Sequence, residues 1–181
     1  MHHDTAPGPA PRIDLYAPIH QGLRRFMSDS LRRLGSLDAA DAAALHGGLA
    51  QLGELLGLLR SHLQQENDFL HPALEARAAG ASRALGAEHE QQRAAIEALE
   101  DEALLLAGQS GAQREAATQR LHRHLARFIA EDLQHMQIEE SQHNPLLWAG
   151  YRDEELRALQ ELMLAAMPAP QRALLQRWMP G

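Results

Sequence analysis

The sequence contains no cysteine, no lysine and no valine. Without cysteine, the chain cannot form disulfide bonds, thiolate zinc sites or cysteine-ligated iron–sulfur clusters, and it has no thiol for catalysis. Without lysine, Schiff-base chemistry through a side-chain amine is excluded. The 17 basic residues are all arginines. Because there is no thiolate, any metal ion must be held by histidine and carboxylate side chains.

Residues that favour β-strands are also rare. Aromatic residues make up only 4% of the 181 residues, and isoleucine is scarce. Alanine, leucine, glutamine, glutamate and arginine dominate, and this set favours helices. The composition therefore predicts an all-α protein, and the length fits one domain with a sizeable core.

Charge and hydropathy exclude further classes of protein. The formal net charge is −7 and there is no basic block, which makes the chain a poor nucleic-acid binder. The N-terminus lacks the basic and apolar regions of a signal peptide, and no stretch approaches the length of apolar sequence that spans a membrane. We therefore expect a soluble cytoplasmic protein with no nucleic-acid or membrane partner.

Apolar residues recur at steps of three and four along most of the chain, which predicts helices with one buried face. Prolines within residues 1–13 instead indicate a flexible N-terminal arm. Asp38 is the expected N-cap of the second helix, Pro72 is expected to kink that helix, and Gly80 to close it. The predicted long helices cover about residues 15–34, 38–79, 82–107 and 112–148.

The short connections between these helices favour an antiparallel up-down-up-down four-helix bundle over residues 14–150. Two more helices, at about residues 153–166 and 171–178, form a C-terminal extension over residues 151–181. We expect this extension either to pack on the outside of the bundle or to form a contact in a homodimer.

One short pattern occurs twice. His62 and Glu66 are four residues apart, as are His135 and Glu139, and each histidine is followed ten residues later by a proline. A histidine and a glutamate at this spacing project from one helix face, with Cβ atoms about 5–6 Å apart. The two copies lie on the second and fourth helices, which point the same way in such a bundle, so they predict a site with local pseudo-two-fold symmetry.

Each of the four long helices places a histidine on its core-facing stripe. A single histidine there is more often an ordinary core residue, but four histidines with two glutamates are costly to bury unless they bind metal. These ligand types suit iron, manganese, zinc or cobalt. We predict a dinuclear site in which two glutamates bridge two ions with two imidazoles each. The predicted ligands are His20 with His62 on one ion, His89 with His135 on the other, and Glu66 and Glu139 between them.

Three residues close to this site have two interpretations each. Asp132, one turn before His135, either accepts a hydrogen bond from a ligand imidazole or is a solvated or helix-pairing aspartate. Gln92 has the same two interpretations, and an ordinary structural role is favoured. Tyr16 lies one turn before His20, where core packing is favoured over a hydroxyl directed at the metal pocket.

Other nearby polar residues are expected to lie outside the site. His71 and His143 fall near the same end of the bundle and have two interpretations, an auxiliary site and ordinary surface histidines, of which the second is favoured. Glu140 follows Glu139 but points about 100° away around the helix, so it is only a backup ligand.

The order of one histidine, a His-x3-Glu pair, one histidine and a second His-x3-Glu pair resembles the hemerythrin HHE cation-binding family. Residues 14–25, DLYAPIHQGLRR, also resemble the first helix of bacterial members. The resemblance covers about residues 14–148. It implies that the six predicted ligands bind two iron ions with an oxo or hydroxo bridge, for which zinc or manganese can substitute.

The chain departs from oxygen-carrying members at one position. They have a second histidine one turn after the first on the third helix, where this chain has Arg93. The resemblance therefore implies a metal-binding protein for iron, oxygen or nitric-oxide sensing, or for oxidative-stress response and repair, with O2, NO or H2O2 as ligand. The alternatives are an enzyme reducing peroxide or nitric oxide, reversible oxygen binding, and a helical interaction module with incidental histidines.

Overall fold

The computed structural model describes residues 12–179, and within that range the chain is helical, with no β-strand. The prediction of an all-α protein is confirmed. Of the predicted N-terminal arm, residues 1–11 lie outside the described residues. Arg12 follows them, and its guanidinium donates hydrogen bonds to the backbone oxygens of Trp148 and Tyr151.

Four long helices form the predicted bundle. Each of them contacts two of the others, in the cyclic order α1, α2, α4, α5, and their connections are short enough to make sequential neighbours antiparallel. The four helices are α1 Ala17–Gly35, α2 Ala42–Gln65, α4 Arg83–Ala107 and α5 Gly111–Ile138.

Helices α2 and α5 each continue through a π-helical turn into a short α-helix. Glu66–Leu70 leads from α2 into α3, His71–Glu75, and Glu139–His143 leads from α5 into α6, Asn144–Gly150. The disruption predicted at Pro72 thus takes the form of a wider turn before the proline. A proline lacks the amide hydrogen and its ring clashes with the carbonyl four residues earlier, and the wider turn relieves that clash.

The start of α2 corrects one expectation. Asp41, not Asp38, is the N-cap, because its backbone is extended and its carboxylate accepts hydrogen bonds from the amides of Ala43 at 2.9 Å and Ala44 at 3.0 Å. Asp38 instead accepts from the amide of Ala40 in the preceding turn. A short turn between α1 and α2 therefore uses the first aspartate, and the helix begins three residues later than predicted.

The C-terminal extension consists of α7, Asp153–Ala166, and α8, Ala169–Trp178. Helix α8 packs against α1, where the rings of Phe26 and Trp178 stack with centres 4.4 Å apart. The absence of a side chain at Gly22 allows this approach, because a Cβ there would lie only 3.1 Å from Leu175 Cδ1. In this structure the extension covers the outside of the bundle.

The core has two apolar parts with a polar layer between them. The larger part fills the bundle over most of its length, and a smaller one, here called the end cluster, closes one end. Along α1, Tyr16 belongs to the end cluster and Leu23 to the larger part, and His20 lies between them. The buried residues of the end cluster are Leu15, Tyr16, Leu70, Leu74, Leu147 and Leu156.

One segment of the described chain, Ala42–Glu75, is long and apolar enough to cross a membrane, with a mean hydropathy of 1.2 over its best window. Core helices of bundles meet the same criterion, so this property is weak evidence for a membrane span. In this structure the segment contributes Leu52, Leu56 and Leu59 to the core.

The N-cap assignment can be tested by measuring stability. We expect Asp41→Ala to lower the free energy of unfolding by about 1 kcal/mol, because two amides at the start of α2 lose their acceptor. Urea denaturation measures this change. Asp38→Ala, which affects a single turn amide, is the matched control, and an equal or larger loss in that variant would contradict the assignment.

Candidate metal centre

Six ionisable side chains from four helical segments meet in the polar layer. All six are buried, and none is more than 4% exposed. They form two groups that share both glutamates, and within each group the ligand atoms lie within 4.8 Å of one another. These groups coincide with the predicted pairing. One group holds His20 and His62, the other holds His89 and His135, and both include Glu66 and Glu139. The six residues together are here called the six-residue cluster.

The two glutamates span the two groups. Glu66 Oε1 lies 3.3 Å from His62 Nε2, while Glu66 Oε2 lies 3.6 Å from His89 Nε2. Glu139 repeats this arrangement, with Oε1 3.3 Å from His135 Nε2 and Oε2 3.4 Å from His20 Nε2. Each carboxylate therefore directs one oxygen toward each pair of imidazoles, which is the arrangement that a bridging ligand requires.

Three of the histidines are oriented by hydrogen bonds from their outer nitrogen. His20 Nδ1 donates to Glu140 at 2.8 Å. His89 Nδ1 donates to the side-chain oxygen of Asn67 at 2.9 Å, and His135 Nδ1 donates to Glu88 at 2.9 Å. A donor role for Nδ1 leaves Nε2 directed inward, as in metal-binding histidines with a fixed tautomer.

Sequence reasoning missed these three partners. Glu140 was expected to be a backup ligand, but it accepts hydrogen bonds from His20 and from Arg24, the latter at 2.7 Å. The sequence does contain a signal for two of these partners, because Asn67 and Glu140 each directly follow the glutamate of a His-x3-Glu pair. That shared position predicts a shared role, whereas the partnership of Glu88 with His135 depends on how α4 and α5 pack.

Asp132 and Gln92 form a buried pair between α5 and α4, which agrees with the interpretation of Asp132 as a helix-pairing residue. The Gln92 amide donates to Asp132 Oδ1 at 2.9 Å, and no cluster imidazole donates to this carboxylate. Among the described residues, Gln92 Oε1 and Asp132 Oδ2 have no hydrogen-bond partner. Burial raises the pKa of Asp132 to about 6.

Tyr16 and Arg93 lie at the margins of the site. Tyr16 is fully buried in the end cluster, and its ring centre lies 5.7 Å from that of His20. Burial and the carboxylates of Glu66 and Glu139 raise its pKa, so the hydroxyl stays protonated. Arg93 pairs with Glu90 on its own helix, and it does not take the place of a ligand.

The expectation that His71 and His143 are surface residues is wrong. Their exposed fractions are only 8% and 4%, and the His71 ring stacks on that of His89 with centres 4.7 Å apart. The expectation assumed uninterrupted α-helices. Each π-helical turn inserts an extra residue, which rotates everything after it by about 100° and brings both histidines inward.

When no metal is bound, some residues of the cluster hold protons and others do not. Burial and the nearby Glu139 raise the pKa of Glu66 to about 8, whereas burial and His135 lower the pKa of His89 to about 3. Burial opposes the charged form of His135, but the contact with Glu139 outweighs it and raises that pKa to about 9. Burial likewise lowers the pKa of His62, and contacts with carboxylates hold that of His20 above its usual value.

The donor atoms fit a pair of metal ions. Within residues 12–179, neither Nε2 of His20 and His62 nor any carboxylate oxygen of Glu66 and Glu139 has a hydrogen-bond partner. A buried polar atom left without a partner costs about 1–3 kcal/mol. His89 and His135 direct their Nε2 atoms at each other, 2.9 Å apart, close to the spacing of adjacent ligands on an ion with bonds of about 2.1 Å. Bound ions would give all these atoms partners.

The fold and the site define a helical-bundle metal-binding protein. The family model of the hemerythrin HHE cation binding domain matches residues 12–107, more than half of the chain, so the chain belongs to this family. The match includes His20, His62, Glu66 and His89 and ends before α5. No curated protein matches the sequence. The contribution of α5 therefore rests on the structure and on the repeated His-x3-Glu pattern.

The pKa values predict how metal binding depends on pH. Metal ions bind deprotonated ligands, and Glu66 and His135 hold protons up to about pH 8 and 9 in the metal-free cluster. We expect the affinity for Zn²⁺ to rise as the pH increases from about 6 to about 9. We also expect each binding event in this range to release protons from the ligands. Calorimetric titrations in two buffers measure both quantities. An affinity that is constant or falls over this range would contradict the charge assignment.

Proposed function

We propose that this chain is a non-haem di-iron protein, with His20, His62, Glu66, His89, His135 and Glu139 as its metal ligands. The observation that carries the proposal is the position of the two glutamates. Glu66 and Glu139 each direct one oxygen toward each imidazole pair, so each carboxylate can bridge two ions. A single ion would leave one pair of imidazoles buried without a ligand role.

The choice of iron follows from the ligand types and from the family. Four imidazoles and two carboxylates, without thiolate, suit iron, manganese, zinc or cobalt. When bound here, a pair of iron ions would supply open coordination positions for dioxygen, peroxide or nitric oxide. The chain's own contribution is to orient the ligands: Glu140, Asn67 and Glu88 hold three of the imidazoles through their outer nitrogens.

The proposed role is sensing of iron, oxygen or nitric oxide, or oxidative-stress response and repair, rather than oxygen carriage. This role is supported by Arg93, which occupies the position of the additional histidine and pairs with Glu90. It is also supported by the enclosure of the site, since every ligand is nearly or fully buried. Such a centre can respond to small molecules and excludes larger substrates.

Metal content tests the proposal. After anaerobic loading with Fe²⁺ and desalting, we expect about two iron atoms per chain, and an oxo-bridge absorption band in the near ultraviolet after exposure to air. His62→Ala and His135→Ala should each lower the iron content, because each removes one of two imidazoles from an ion. Elemental analysis of the desalted variants measures the loss.

His46→Ala is the matched control, because His46 is also on α2 but is exposed and far from the cluster. Its iron content should equal that of the wild type. Wild-type protein that retains no iron, or His62→Ala and His135→Ala variants that retain as much as His46→Ala, would refute a metal centre at these residues.

A further inference from the structure

A surface cavity of about 240 Å³ lies between α4 and α5, the helices that hold His89 and His135. It is here called the α4–α5 cavity. All its lining residues come from these two helices, and its inner wall includes Gln92 and His135. The cavity therefore extends from solvent to one of the proposed metal ligands.

The lining of the α4–α5 cavity is rich in metal-binding atoms. Glu88 and Glu131 lie at its mouth, with side chains 41% and 58% exposed. No arginine is among its lining residues, although Arg127 pairs with Glu131 from outside at 2.9 Å. Carboxylate, amide and imidazole donors are the ligands that divalent transition metals accept, and the carboxylates attract cations to the mouth.

Two side-chain oxygens near the inner part of the cavity are available to contact a cation. Gln92 Oε1 and Asp132 Oδ2 are buried and, over the described part of the chain, make no hydrogen bond. The Gln92–Asp132 pair sits one helical turn from His89 and His135, on the same two helices. Two oxygen acceptors without a partner thus lie within one helical turn of the six-residue cluster, and one of them belongs to Gln92, which lines the cavity.

Three other directions around the cluster are less suitable for a cation. Where α1 meets α5, the Arg24 guanidinium contacts Glu140 directly beside His20, whereas Arg127 pairs with Glu131 at the outer edge of the α4–α5 cavity and is not among its lining residues. The end cluster closes one end of the bundle with apolar side chains, and the larger core fills the other direction. The α4–α5 cavity is open to solvent, is lined by carboxylates and reaches His135, one of the proposed metal ligands.

We propose that the α4–α5 cavity is the entrance through which divalent transition-metal ions reach the dinuclear site. Glu88 and Glu131 attract the hydrated cation, and Gln92 and Asp132 supply oxygen contacts as it passes to His135 and the shared carboxylates. This inference rests on the proposed function, because an entrance requires a metal centre behind it. If the entrance exists, it controls the rate of metal loading, whereas the six ligands control the final metal content.

The test compares loading rates of the full chain. Metal-free protein is mixed anaerobically with Fe²⁺, samples are quenched with excess chelator at intervals and desalted, and bound iron is measured. We expect Glu131→Lys to slow loading by about tenfold, the lower end of the effect of charged clefts on association rates. Glu115→Lys makes the same change of charge near the other end of α5, and it should load at nearly the wild-type rate.

A second variant tests the inner part of the route. Gln92→Leu keeps the approximate size of the side chain and removes both its oxygen and its hydrogen bond to Asp132, so loading should slow while the final iron content stays at the wild-type value. Higher ionic strength should reduce the wild-type rate and affect Glu131→Lys less, because salt screens exposed charges.

The outcomes distinguish the two proposals. Equal loading rates for Glu131→Lys, Glu115→Lys and wild type, with normal final iron content, would overturn the entrance and leave the metal centre intact. Wild-type protein that never retains iron would overturn the proposed function and the entrance with it. A slow rate confined to Glu131→Lys and Gln92→Leu, with full final content, would support the entrance.

Discussion

The structure depends on placing two carboxylates and four imidazoles inside one helical bundle. Glu66 and Glu139 are fully buried, and each contacts imidazoles of both groups. Buried charges of this kind are costly unless they are paired or bonded to metal. The metal-free cluster balances part of this cost through charged histidines, and the remaining unpaired nitrogens and oxygens indicate where ions belong.

The backbone supports this arrangement at two equivalent places. Glu66 and Glu139 are each the first residue of a π-helical turn, and each turn precedes a proline. The turn widens the helix where Asn67 and Glu140, the residues directly after the glutamates, hydrogen-bond to imidazoles of other helices. The repeated pattern of the sequence thus corresponds to a repeated local structure, and π-helical turns are frequent at functional sites.

The sequence was sufficient to predict the bundle and the convergence of the six buried histidines and glutamates, because both follow from helical periodicity. It was not sufficient where the helix departs from regular geometry, and for that reason His71 and His143 were placed on the surface. It also did not reveal that Glu88 orients His135, since this contact depends on the packing of α4 against α5. Likewise, two aspartates precede α2, and the backbone conformation and the hydrogen bonds of the structure identify Asp41 as its cap.

The family match ends before α5, yet α5 and the π-helical turn that follows it supply His135 and Glu139, two of the six residues of the proposed centre. The central claim is therefore that residues from all four helices hold two ions between them. Anomalous X-ray diffraction at the iron edge, from crystals of the iron-loaded protein, tests it most directly. We predict two peaks, one between His20 and His62 and one between His89 and His135, with both glutamates spanning them. A single peak, or peaks away from these residues, would contradict the claim.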